Sequence, residues 1–283
     1  MSASVVVPTR DRPEELAKCL AGLRGQDVVV VDDGSAERER VAAIVAGAGA
    51  KLVRLEGRGP AAARNAGAAA ATAEVVCFTD DDCEPAVGWV EAVTAPIVAG
   101  EAECAAGRTV VGGDAGPADR AWQAIADHLQ RWAAEPGSPS PGFAPTCNLA
   151  CCRALLAELP FDESFEAAAG EDRDWCARGA ARGAMPRFVP DAVVVHRPGL
   201  TTSSFLRQQY RYGKGATRFR SSGKDRTFGP LSFYTGLLRS AFAVGIGPGA
   251  LTGVAQLAIA TGALVERGRG ASRTGGYSKT RPD

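Results

Sequence analysis

Apolar positions in the first hundred residues come in two kinds of block. Residues 4–7 and 28–31 are short, almost unbroken valine runs, the pattern of strands buried on both faces. Residues 51–55 and 74–79 read as two more strands. Between them the period lengthens. Residues 13–23 predict a helix with proline near its start and Leu16, Leu20 and Leu23 on one face. Residues 37–46 and the alanine-rich 60–71 predict two further helices. Trp89, Val90, Val93 and Ile97 form the apolar face of a fourth, expected over 86–98. This strand-helix rhythm predicts an α/β fold: a mostly parallel central sheet with helices on both faces.

The second half is less regular. A strand ends over 109–111, a helix is expected over 118–133, and a short strand over 148–151. A helix over 171–182 and a strand over 187–195, ending at His196, complete the pattern. The Pro/Gly/Ser stretch 135–142 is expected to be a mobile loop. Residues 240–265 carry no charge. They are long enough to cross a membrane, but Gly245, Gly247, Pro248 and Gly249 interrupt them. Two packed helices and a membrane-surface or re-entrant segment are both expected ahead of a single span. The chain thus divides into 1–220, with halves 1–112 and 113–220, and a C-terminal helical segment 221–283 with a basic tail.

Ligands of parallel sheets sit beyond the carboxyl ends of the strands. The first four strands are followed by PTRDRP (8–13), DDGS (32–35), GRGPAAARNAG (57–67) and DDDCEP (80–85). Every cluster falls on the same edge, which predicts a binding site. Three adjacent aspartates repel one another unless paired or bound to a cation. Asp80 and Asp82 flank one residue, so a bent turn aims both at one hard ion such as Mg²⁺ or Mn²⁺. A competing reading makes the aspartates an acidic cap for the helix over 86–98.

Charge and cysteines narrow the classes. The 283 residues hold 32 basic and 32 acidic side chains, so nothing global points to nucleic acid. The balance is local: seven basic residues and one acid, Asp225, lie from Arg207 to Arg226. The eight cysteines form no CxxC pair, and the N-terminal apolar stretch is too short for a secretory signal. Buried free thiols in a reducing cytoplasm are expected rather than disulfides or a zinc site.

The ordered strings VVVPTRDRPEELAKCL, VVVDDGS, GPAAARNAG, FTDDDCEP, TCNLACCR, PFDESFEAAAGEDRDWCARGAARG, VVVHRP and QQYRYGKG resemble family 2 glycosyltransferases over about 4–215. The resemblance implies the GT-A fold and a metal-dependent, inverting transfer of sugar from a nucleotide-diphosphate sugar to an acceptor hydroxyl. It implies that Pro8, Thr9, Arg10, Asp32 and Asp33 hold the nucleoside, with Arg64, Asp80, Asp81 and Arg211 completing the donor site. Asp80, Asp82 and His196 become the ligands of Mn²⁺ or Mg²⁺. Asp172 becomes the base, ionised at neutral pH if its pKa keeps the usual value near 3.9, and Glu171 orients either the acceptor or this base. Arg207, Arg211 and Lys214 become a flap closing on the diphosphate, although a solvated basic helix touching anionic lipid fits them too. A lipid-linked acceptor and contact with the inner face of the cell membrane follow from the uncharged run. The alternatives are a sugar nucleotidyltransferase, which lacks its N-terminal glycines here, and an inactive scaffold.

Overall fold

The computed structural model describes residues 1–134, 143–165, 169–221 and 230–274. The expected loop 135–142, the last part of the basic run and the tail beyond 274 lie outside the described residues. One eight-stranded sheet runs through the molecule in the order β3-β2-β1-β4-β7-β6-β8-β5. Its strands are β1 Ala3–Thr9, β2 Asp27–Asp33, β3 Lys51–Leu55, β4 Val75–Phe78, β5 Cys83–Pro85, β6 Cys104–Val111, β7 Leu149–Cys152 and β8 Arg187–His196. The first four are parallel to one another. Strand β7 is antiparallel to both β4 and β6, β8 runs parallel to β6, and β5 runs antiparallel to β8.

The helices follow from the same patterning. Pro13 opens α1 (Pro13–Gly22), which buries Leu16, Cys19 and Leu20. With α2 (Arg38–Gly47) and α4 (Trp89–Val98) it covers one face of the sheet, around Val5, Val7, Val28, Val30 and Val93. Helix α3 (Pro60–Ala70), α6 (Arg153–Glu158) and α7 (Glu171–Ala180) cover the other, around Val6, Val29, Val31, Phe78 and Trp175. The small residues of α3 are a packing requirement. A methyl at Gly67 would overlap the Val6 side chain, so the helix lies directly on β1.

Strand β5 corrects the sequence reading. The aspartates do not cap a helix: β5 follows them, and α4 begins only at Trp89, after Gly88 in a left-handed turn. Three residues are too few to show a strand period.

The remaining helices are α5 (Pro117–Ala134), α8 (Thr202–Ser221), α9 (Leu231–Val244) and α10 (Ile246–Thr274). The uncharged run forms two helices, split at Gly245 with φ 155°. Helix α10 crosses α8 closely, since a side chain at Gly213 would meet the Ile259 carbonyl and one at Gly262 the Tyr210 carbonyl. The stretch Ile246–Gly268 is long and apolar enough to span a membrane, and 33% of its most apolar 18-residue window is buried.

Candidate active site

Four elements meet at the carboxyl edge of β1, β2 and β4, and charged pairs tie them together. Parallel strands end in register there, so the turns after β1 and β4 face each other. Thr9 donates its hydroxyl to Asp81 Oδ2 at 2.8 Å. Arg12 bridges the same turn, with Nη1 2.6 Å from Asp82 Oδ2 and 3.2 Å from Asp81 Oδ1. Burial pushes Asp81 up to about 7 against the pull of Arg12. For Asp82 burial pushes up too, but His196 and Arg12 outweigh it and hold the carboxyl at about 2.

A second arginine closes the other side. Arg64, on α3, is 4% exposed. Its Nη2 lies 3.1 Å from Asp80 Oδ1 and its Nη1 3.0 Å from Glu171 Oε1. A guanidinium is suited to this because its fork reaches two carboxylates at once. It therefore clasps the aspartate turn to the start of α7. The neighbouring Asp172 is half-buried and accepts the Arg173 backbone N–H. Burial and the charge of Glu171 push it up to about 7. This corrects the expectation of a carboxylate with the usual pKa. Tyr212, on α8, feels the charges of Asp172 and Glu171, and its hydroxyl is bonded to Trp122 of α5.

On the far side of the turn, Asp82 Oδ1 lies 3.3 Å from His196 Nε2 at the end of β8. Ligand atoms of Asp82, Cys83 and His196 all fall within 4.8 Å of one another. His196 is buried, and its Nδ1 has no hydrogen-bond partner among the described residues. An acidic, imidazole-bearing cluster with an orphaned nitrogen fits a divalent cation. The three residues line a cleft of about 290 Å³ shared with Glu15, Lys18 and Arg197.

The other expected site residues are placed differently from one another. Asp33 spends both oxygens on the backbone, accepting Arg58 N and Gly59 N at 2.7 Å each. Asp32 Oδ1 accepts Ser35 N at 2.9 Å, and both aspartates are buried. Pro8 sits inside β1, Arg10 is exposed beside Gly57, and Arg211 is exposed on α8. Lys214 pairs at 3.8 Å with Glu266 of α10 and not with the aspartate turn. Sequence reasoning passed over Arg12, although it lies within the quoted PTRDRP string. It also passed over Trp122, whose ring packs tilted against that of His196 with centroids 4.5 Å apart, and Asn148, fully buried between Trp89 and the Ala192 carbonyl. A buried asparagine before a strand carries no periodic signal.

The sequence profile described as Glycosyl transferase family 2 matches residues 4–156. The chain belongs to glycosyl transferase family 2. A pre-mycofactocin glycosyltransferase of Mycobacterium tuberculosis is 32% identical over 275 residues, covering 93% of this chain and 57% of its own length. The chain therefore spans little more than half of that relative. Glycosyltransferase AglE of Haloferax volcanii is 26% identical over 231 residues, covering 75% of this chain and 72% of its own. Among solved structures, glucosyl-3-phosphoglycerate synthase of M. tuberculosis, in complex with Mn²⁺, UDP-glucose and phosphoglyceric acid, superposes with a TM-score of 0.57. It is 19% identical and covers 81% of each chain. TarS 1–349 of S. aureus in complex with UDP gives 0.52 at 16% identity, covering 100% of this chain and 94% of its own. These likenesses show the GT-A fold for this family 2 chain. The motif strings at 5–20, 29–35, 59–67, 78–85 and 146–153 lie within the matched region.

Proposed function

We propose that this chain moves a sugar from a nucleoside-diphosphate sugar to an acceptor hydroxyl, with inversion at the anomeric carbon. The observation that carries this is the Arg64 clasp. It sets a cation-competent aspartate turn against a half-buried carboxylate of raised pKa, on two elements far apart in sequence. A leaving diphosphate needs positive charge on one side, and an acceptor hydroxyl needs a base on the other. UDP is the nucleotide to test first, because the superposed synthase and TarS were crystallised with it.

Asp80, Asp82 and His196 would hold Mn²⁺ or Mg²⁺, which when bound offsets the charge developing on the diphosphate. Thr9 and Arg12 hold Asp81 and Asp82 in place. Asp32, with Pro8 and Arg10 at the same edge, faces the nucleoside, and Asp33 positions the β3–α3 turn beneath it. Arg211 supplies a cation near the donor from α8. Asp172 takes the acceptor proton as the acceptor oxygen bonds to the anomeric carbon and the bond to the diphosphate oxygen breaks. Glu171 is held by Arg64 and orients its neighbour. The exposed Leu257 and Leu264 of α10, 69% and 66% accessible, support contact with the inner face of a membrane and a lipid-linked acceptor.

Thermal unfolding against a panel of nucleoside diphosphates, each with Mn²⁺ and with EDTA, tests the donor site. A ligand at about 100 times its Kd adds about 2.7 kcal/mol. The reading requires a shift for at least one nucleotide that needs the metal and disappears in Asp82→Ala. A panel without any shift would remove the donor site from the proposal.

A further inference from the structure

Two oxygens of Asp82 face different partners. Oδ2 is taken by Arg12 at 2.6 Å, whereas Oδ1 faces His196 at 3.3 Å and the Cys83 thiol at 3.8 Å. A four-coordinate ion with nitrogen and oxygen ligands at 2.0–2.2 Å and sulfur at 2.3 Å sets its ligand atoms about 3.4–3.7 Å apart. The two separations fall just outside either end of that range, and all three ligand atoms lie within 4.8 Å of one another, so small side-chain movements would bring them onto one ion. Cys83 is fully buried, and its backbone pairs with that of His196 across β5 and β8, so both side chains are fixed from rigid strands. His196 is only 7% exposed, and its Nδ1 has no partner among the described residues. Behind Cys83, the Cys147 thiol hydrogen-bonds to it and lies 3.7 Å from Thr109 Oγ1, which orients the sulfur.

We infer that Cys83 is a further protein ligand of the divalent cation, beside Asp82 and His196, and that the site prefers borderline ions such as Co²⁺ or Zn²⁺ to Mg²⁺. The inference deepens the metal-dependent reading above and rests on it. Mg²⁺ seeks six oxygens in near-ideal octahedral order and gives up water reluctantly. A thiolate and an imidazole beside one carboxylate suit softer ions. On binding, the ion exchanges a water for sulfur, and the thiol proton leaves to solvent as the metal–sulfur bond forms.

Co²⁺ titrated into the intact protein, with and without UDP, provides the test. The expected result is a thiolate-to-cobalt charge-transfer band in the near ultraviolet, absent from Cys83→Ser and retained in Cys147→Ser. Loss of even an outer-shell partner of a metal ligand costs about 10–100-fold in affinity, so removal of a direct sulfur ligand in Cys83→Ser should weaken Co²⁺ and Zn²⁺ by at least about tenfold and leave Mg²⁺ unchanged. Should Cys83→Ser fail to fold, a wild-type band that survives Cys147→Ser still assigns the sulfur. Co²⁺ binding without a band in the wild type would overturn the role of Cys83 and leave the Asp82–His196 site standing. An absence of Co²⁺ binding under both conditions would overturn the two readings together.

Discussion

At the scale of single residues, the site turns on which carboxylates are already occupied. Asp33 gives both oxygens to backbone and Glu171 is clasped by Arg64, which is why Asp172 is the carboxylate we propose as the base. Its pKa, pushed up to about 7 by burial and Glu171, means that activity should rise with pH along an acid limb centred near 7 in kcat/KM. Asp172→Asn should lower kcat by about 100-fold or more while UDP affinity, read by calorimetry, stays within about threefold. An unchanged kcat in that variant would move the base elsewhere. Arg64 is a positioning residue with a different signature. Arg64→Met strands two carboxylates beside each other, and breaking a buried pair costs about 3–5 kcal/mol, which urea unfolding would measure. These identities were legible in the sequence as a cluster of acids and one arginine on a helix. Which acid pairs with which base was not, because Arg64 and Glu171 stand 107 positions apart.

At the scale of elements, the parallel half was legible because each strand is a continuous apolar run bounded by a polar turn. The expected residues 51–55 coincide with β3, and the four residues named for the helix after β5 are all buried on α4. Strand β5 was not legible, since three residues show no alternation. Nor was the reversed direction of β7, because both antiparallel neighbours of a buried strand ask for the same apolar side chains. The C-terminal glycines read as interruptions of an apolar run, and their packing role needed the structure. Gly213 admits the Ile259 carbonyl of α10 where a side chain would collide. Gly213→Leu should therefore cost about 1–3 kcal/mol through overpacking. It should also loosen α8, so that acceptor turnover falls more than UDP binding. A variant as stable as the wild type would show that the crossing of α8 and α10 is loose.

At the scale of the whole molecule, net neutrality hides a strongly polarised centre, and the stability of the metal-free protein should reveal it through pH. Asp81 and Asp172 are both held at about 7 in the folded chain, far above the usual carboxylate range. Between about pH 4 and 7 the native state therefore binds more protons than the unfolded chain. Linkage then makes stability fall as pH rises through that window. His196 works in the same direction. Burial lowers it, but hydrogen bonding to Asp82 wins and leaves it raised, so its contribution is lost as pH climbs through its folded pKa. Asp82, held at about 2, opposes the trend only below the usual carboxylate pKa. With EDTA present, the melting temperature should be highest in mild acid and drop by about 4 °C or more by pH 8. Mn²⁺ with UDP supplies positive charge where those carboxylates ionise, so the same scan with both ligands should be flatter. A metal-free protein whose melting temperature rises steadily from pH 5 to 8 would mean that these carboxylates ionise without strain. The turn would then be an ordinary solvated loop, not a site held ready for a cation.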